Sequence, residues 1–565
     1  MSNIDPPASW ADIDGINTNE RLLGGPSGPL NRAVTGLTAR TKDLDNRLDA
    51  FGETGGAALV GFAQDSAEAT ARTVSAKLSD TVSVEDFGFV GDRVADDAPA
   101  IQKALDFAYS RGYARVIVPH TVTGFRMASG VVIRGVELVG SPAMMYRRTD
   151  ERIIKAIAGF TSGPMFTLRS HGAISGFMLV DPNQKYSLSA YTEAWNAGPD
   201  GIALGAPGDA RVYGASISGI FVVGIRRFCV QTSSVANVEA LLVRDVSGCP
   251  LDVGFDLSQS YDIPRFSNVH FNLNTYQGLM SGDTTLYYRK VANELTVFRF
   301  ARVDGAFISS CFAYGVKHFI HSYTDGFPSD TNGGGGFFVE NSSCDICHVA
   351  FQIDRGDLNI GTTITGGFYT PAVKIAGSEQ AVIKFGAASQ NVEIQISDVK
   401  CYGATVPPLG GSDASGQPNY HLVWDTSGNN NHVIGAGLYF EQYVTGIAQN
   451  ANSSRNNVFS FAAMSDKRVL RSRLMGELVL ASTTGSSPKL SLVSANATYD
   501  IDNFQVGAGG KLRIIKDGSV VAELEADGDF SLLNSGKGLV VKSPDGLTQK
   551  RIGIDNTGAI AVTNN

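Results

Sequence analysis

The chain has 565 residues, 43% hydrophobic and 18% charged, which suits a folded chain rather than long disorder and a length too great for one ordinary core. Its 46 basic and 55 acidic residues leave a net charge of −9, the wrong sign for a surface that binds nucleic acid. With 64 glycines against 20 prolines, the composition points to many tight turns in repetitive β architecture.

The N-terminal "MSNIDPPASWADIDG" carries neither a basic nor an apolar leader segment, so no secretory signal is expected. The longest apolar run, "GIFVVGI", is far short of a membrane span and reads as a buried strand, so no membrane insertion is expected. Six cysteines do not make a disulfide scaffold in so long a chain, which fits folding in a reducing cytoplasm.

Residues 1–30 are rich in Gly, Pro, Asn and Asp, with a tryptophan at Trp10. The stretch "NRAVTGLTARTKDLDNRLDA" then places Val34, Leu37, Thr41, Leu44 and Leu48 at alternating spacings of three and four. That spacing predicts a short helix whose apolar seam either joins a coiled coil or packs on its own chain. Residues 52–80, small and polar, read as a linker or a weak helix.

The segment "TVSVEDFGFVGDRVADDAPAIQKALDFAYSRGYARVIVP" reads as a beginning although it starts at residue 81. Asp96 and Asp97 stand where carboxylates accept the free N–H groups of a helix start, and Pro99 falls in the first turn. Ile101, Ala104, Leu105 and Ala108 form one apolar stripe, Gly112 stops the helix, and "ARVIVP" is a buried strand. One helix followed by strands alone is a lid over the end of a stack of strands.

The stack is visible as short apolar pieces separated by turn signals, among them "ISGFMLV", "ASISGIFVVGI", "FSNVHFN", "FISSCFA" and "VEIQISDVKCYG". Laying residues 309–320 on 342–353, a spacing of 33, stacks Cys311 on Cys344, Val316 on Val349 and Ile320 on Ile353. Laying "FSNVHF" on "ISSCFA", a spacing of 42, stacks Val269 on Cys311. Apolar columns of this kind are what successive coils of a parallel β-helix require, with Gly and Asn at the corners. From about residue 460 short alternating strands joined by "KDGS" and "ADGD" turns form a separate β-rich module. Its strands are too short to bury much in one chain, which predicts interdigitation with copies of itself.

The Asp-Phe-Gly, Gly-Asp, Asp-Asp and Ile-Gln elements of residues 86–102 resemble the opening of the pectate-lyase-like parallel β-helix superfamily, with Phe89 and Arg93 as departures. With the heptad-bearing segment before it and the β module after it, the layout is similar to that of bacteriophage tailspikes. The resemblance implies an all-β protein with a right-handed single-stranded parallel β-helix, an N-terminal capping helix, a short helical neck and a C-terminal trimerisation module. It divides the chain into a virion-attachment segment with neck and linker (1–80), the β-helix with its groove (81–459) and the trimerisation module (460–565). It further implies a homotrimer on the virion tail, joined to a tail or baseplate protein through the N-terminal segment, that binds and usually cleaves a bacterial surface polysaccharide.

Several short motifs read better as structure than as chemistry. Cys344 and Cys347 have redox or zinc spacing but no second pair, and His318 and His321 lack the glutamate of a metal helix, so no metal or cofactor is expected. "GGGG" (333–336) reads as a turn, and no G-x-S-x-G elbow is present.

In the two overlays Arg265, Phe307 and Glu340 share one outward column, His270, Phe312 and Asp345 share another, and Asp262 lies above Asp304. Rings that stack on sugars, polar groups that fix hydroxyls and paired acids make a glycan-cleaving groove. Glu340, Asp345, Asp304 and Asp262 are therefore the catalytic candidates, and Arg265, His270, Phe307 and Phe312 the substrate contacts. Glu340, placed beneath Phe307, is expected to be desolvated and to act as a general acid. Endo-acting hydrolysis is the favoured expectation. The alternatives are a lyase in which Arg265 or His270 acts as base on a uronic acid, and an adhesin without turnover.

Overall fold

The computed structural model describes residues 29–66, 68–119, 124–140, 154–276, 284–324, 336–355, 361–373, 375, 379–401, 420–425, 430–440, 444–450, 458–462 and 465–466, and the strands between 489 and 564. Residues 1–28, the first three of the four glycines at 333–336 and the stretch 467–488 lie outside the described residues. A helix runs from Pro29 to Gly52 with Val34, Leu37, Leu44 and Leu48 all exposed, so its seam is uncovered in the single chain. Among the described residues no helix is long and apolar enough to cross a membrane.

The cap helix spans Ala98–Arg111 and ends at Gly112, whose φ of 73° is the left-handed conformation glycine allows. Ile101, Ala104, Leu105 and Ala108 are all buried, so the stripe read from the sequence covers the end of the stack. Of the two aspartates, Asp96 meets the helix start as expected and Asp97 does not. Asp96 accepts from Ala98 N (3.2 Å), the first residue of the helix, and from Ala128 N (2.8 Å), just past the strand Gly124–Met127. Asp97 is turned back and accepts from Val90 N (2.7 Å) and Gly91 N (3.2 Å). The most recognisable acidic motif of the chain therefore fastens the loop of the lid.

From Val82 to Asp466 the strands pair in parallel, each with the strand one coil later, as in a parallel β-helix. Each coil presents three faces. Face A carries the row Arg265–Phe307–Phe338–Thr363–Gln395. Face B carries Phe221–Ser247–His270–Phe312–Ser343. Face C carries Asp256–Arg299–His321–Gln352–Lys384. Between these outward rows the core is stacked in columns such as Cys229–Phe255–Phe298–Ile320–Phe351–Ile383. Each large side chain buried there stabilises the stack by about 1.5–3 kcal/mol.

The corner between faces A and B sets the register. Gly176, Gly219, Asp245, Asn268, Ser310, Asn341, Gly366, Asp398 and Gly437 all have positive φ, and each follows the last paired residue of face A. Gly, Asn and Asp tolerate that conformation best, and Asn268 Nδ2 also donates to Asp245 Oδ1 at 2.7 Å.

This ruler confirms one overlay and corrects the other. Arg265 pairs with Phe307 and His270 with Phe312, in the register that stacks Val269 on Cys311. The next coil is displaced by two positions from the expected one: Ala313 pairs with Cys344, Val316 with Cys347 and Ile320 with Phe351. The repeated Ser-Ser-Cys misleads because Ser310 is a corner residue and its counterpart is Asn341, not Ser343.

Near the C-terminus pairing turns antiparallel. Lys489–Ser494 to Phe530–Leu532 form a five-stranded sheet, and Leu539–Lys542, Gln549–Ile554 and Ile560–Asn564 a three-stranded one.

Candidate active site

The corrected register divides the candidates among three places. On face A, Phe307 stacks on Phe338 with ring centroids 5.0 Å apart, so Phe338 and not Glu340 follows it in the column. Glu340 instead pairs with Ser309 and Thr365 and is exposed, so the desolvation expected beneath Phe307 is not built. Arg265 is exposed on the same face, with Nη1 donating to Ile263 O at 3.0 Å.

Asp262 and Asp304 lie at the turn between faces C and A. Asp262 is exposed and its Oδ1 accepts from Ile263 N at 2.9 Å. Asp304 pairs with Gly336 in the ladder, and its Oδ1 is 3.6 Å from Arg302 Nε. The guanidinium of Arg302 lies 4.4 Å from the ring centroid of Tyr261, so this turn is a closed polar cluster.

Face B gathers the rest. His270 and Phe312 are neighbours in the ladder with ring centroids 4.6 Å apart, and Phe368 lies 6.2 Å beyond Phe312. Asp345 belongs to the adjacent outward column, beside Tyr314, where the overlay had set it beneath Phe312. The insert after Asn272 forms a wall here, because the helix Thr284–Glu294 packs on the strands of Tyr314 and Asp345. From that helix Tyr288 donates its hydroxyl to Asn274 Oδ1 at 3.3 Å.

The backbone at Asp345 is irregular. The ladder shifts between Cys344 and Cys347, and Ile346 has φ 57°, a conformation that costs a β-branched residue about 1–2 kcal/mol. Ile346 is held there by a small cluster with Ala292 of the insert helix, Ala372 and Val373. A bulge with stored strain re-aims the side chain beside it. The carboxyl of Asp345 is pushed above the ordinary aspartate range by burial, against hydrogen bonds from the Thr370 side chain and Ile346 N. It is thus biased toward the protonated form that a general acid needs.

His270 is the complement. Burial lowers its pKa to about 4, so the imidazole is neutral at ordinary pH. It lines a cavity of about 140 Å³ with Phe221, Ser247, Gly248, Asn272, Asn274 and Thr275, of mixed polarity and large enough for several waters. Two ladder steps along the stack and one outward column across it separate His270 from Asp345, about 12 Å between their backbones at the usual strand dimensions.

Face C holds groups that the sequence did not point to, apart from His321. Asp256 accepts from Arg299 Nη1 (3.2 Å) and from the Tyr323 hydroxyl (2.9 Å), while the Arg299 guanidinium lies 4.1 Å from the Tyr323 ring centroid. His321 Nε2 and Gln352 Nε2 approach the two oxygens of Asp354 at 2.8 and 2.6 Å. The cysteines are all buried and free, and burial raises the thiols of Cys229, Cys249, Cys311, Cys344 and Cys401. Cys344 lies between Ala313 and Tyr369 and not beneath Cys311.

No protein-family model and no curated protein sequence matches the chain. Among solved structures it is similar to the tailspike protein of E. coli bacteriophage HK620 in complex with a pentasaccharide, at 13% identity over 74% of this chain and 73% of that one, with a TM-score of 0.48. A mutant of that tailspike in complex with a hexasaccharide is similar at 14% identity over 74% and 71%, with a TM-score of 0.47.

Proposed function

We propose that the protein binds a bacterial surface polysaccharide and cleaves it by endo-glycosidic hydrolysis, as a spike on a phage tail. The observation that carries the reading is Asp345: a half-buried carboxyl with a raised pKa, set at a strained bulge in the outward column next to that of His270 and Phe312. The sugar chain lies along face B, its rings stacked on Phe312 and Phe368 and its hydroxyls met by Asn272, Asn274 and Tyr288. Protonated Asp345 gives its proton to the glycosidic oxygen as the bond to the anomeric carbon breaks. A water held near His270 loses a proton to the neutral imidazole and attacks that carbon from the other side. Solvent then returns the proton from His270 to Asp345, and two shorter chains leave. Arg265 and the Phe307–Phe338 platform, around the corner on face A, extend the contact to further sugars.

The chain works as a parallel homotrimer, joined through the uncovered seam of Pro29–Gly52 and the C-terminal strands, with the N-terminal segment fixed to the tail. Light scattering showing a stable monomer would remove the assembly. Incubation with purified host polysaccharide tests the chemistry. New reducing ends alone mean hydrolysis, absorbance from an unsaturated sugar means a lyase, and binding without fragments means an adhesin.

A further inference from the structure

We infer that the sugars lying across the cut in the face B groove are uncharged, an inference that rests on the hydrolytic reading above. The described groups bordering the groove are aromatic or neutral polar: Phe312, Tyr314, Phe368, Tyr288, Asn272 and Asn274. The ionisable ones are Asp345, which repels an anion whenever it is charged, and His270, which burial keeps neutral down to about pH 4. A uronate or sialate carboxylate brought into this half-buried space would need a cation or a cluster of donors to offset its lost hydration.

Among the described residues, Arg289, Lys290 and Arg226 nearby are already engaged. Arg289 of the insert helix lies 3.8 Å from the ring centroid of Tyr191. The buried Lys290 ammonium pairs with Glu294 at 2.6 Å, and Arg226 pairs with Asp252 at 3.1 Å. Lys400 is exposed one ladder step beyond Phe368, so among the described residues an acidic sugar has a partner toward that end of the groove, away from Asp345. The same distribution disfavours a lyase, since removal of the proton beside a uronate requires its carboxylate to be neutralised. Acidic residues of the polymer therefore belong in side branches, or near Lys400, and not on either side of the cut.

The full-length protein is to be tested against purified bacterial surface polysaccharides, half of them neutral and half carrying uronic or sialic acid in the main chain. Binding is followed by interferometry, cleavage by reducing ends and fragment ends by mass spectrometry. The expected result is cleavage whose fragments end in neutral sugars at both new termini, with main-chain acidic polymers bound at least about tenfold more weakly. A uronic or sialic acid at either new terminus overturns the inference and leaves the hydrolase standing. Binding without fragments removes the hydrolase, and the inference is then decided by affinity: an acidic polymer bound as tightly as the best neutral one overturns it. Binding to none of the polymers overturns both. Lys400→Met supplies a second reading, because it should weaken any acidic polymer that binds and leave neutral ones within about twofold.

Discussion

On face C the outward side chains close on one another: Arg227 on Asp200, Arg299 and Tyr323 on Asp256, His321 and Gln352 on Asp354. One turn away on the same coils, face B presents Phe312, Tyr314 and Asp345 in two adjacent outward columns with a helix beside them. Both surfaces are rich in polar and aromatic groups, so composition does not separate them. What differs is how charge is met. On face C acids meet cations and have little to gain from a ligand, whereas on face B the Asp345 carboxyl is held by the neutral donors Thr370 and Ile346 N with its pKa raised, beside rings that a sugar can stack on. Face C is read as structure and face B as chemistry.

The largest expected effect that tests this contrast is at Asp345. Asp345→Asn should cut the release of reducing ends by at least about a hundredfold while the polymer still binds, as loss of a general acid does. Retention of full turnover would move the acid to Glu340, Asp304 or Asp262 and dissolve the distinction between the faces.

The pH profile sharpens the same point. Below about pH 4 His270 takes up a proton and cannot serve as base, so kcat/KM should fall about tenfold per unit there. On the alkaline side activity should fall as Asp345 ionises, at a pH above the ordinary 3.8 for aspartate because burial raises its pKa. A profile flat from pH 3 to 8 would exclude this pair. Smaller again, Phe312→Ala should weaken polymer binding about tenfold, the size of one lost aromatic contact, measured as a rise in Kd.

The cap was legible because local rules suffice for it: a stripe of Ile101, Ala104, Leu105 and Ala108 and a terminal Gly112 follow from helix geometry alone. The register from Arg265 to Phe307 was legible because both segments meet the same corner at the same offset, at Asn268 and Ser310. The following coil was misread because identical residues were matched in place of equivalent backbone. Aligning the positive-φ candidates Asn268, Ser310 and Asn341 would have found it, since this corner repeats a conformational requirement in coil after coil. The bulge at Ile346 had no such signal. A β-branched residue is a poor choice for that conformation, and what holds it there is packing against Ala292 from a distant insert. The pairing of Asp256 with Arg299 and Tyr323 likewise depends on coils 43 and 67 residues away.

The smallest effect is expected on face C and is the most direct control. Arg299→Met keeps the alkyl stem and removes the charge that meets Asp256 and covers Tyr323. Asp256 keeps its hydrogen bond from Tyr323, so the carboxylate is not abandoned when the guanidinium goes. The Arg299 side chain is 36% exposed and that of Asp256 only 10%, so solvent screens the pair from one side only. A loss of about 1 kcal/mol is expected, the upper end for a surface pair, read as a fall of about 1–2 °C in Tm. Release of reducing ends should stay within about twofold of the parent. A tenfold loss of turnover at unchanged Tm would show that the polymer lies on face C, with Arg299 and Tyr323 as its platform, and the assignments of the two faces would have to be exchanged.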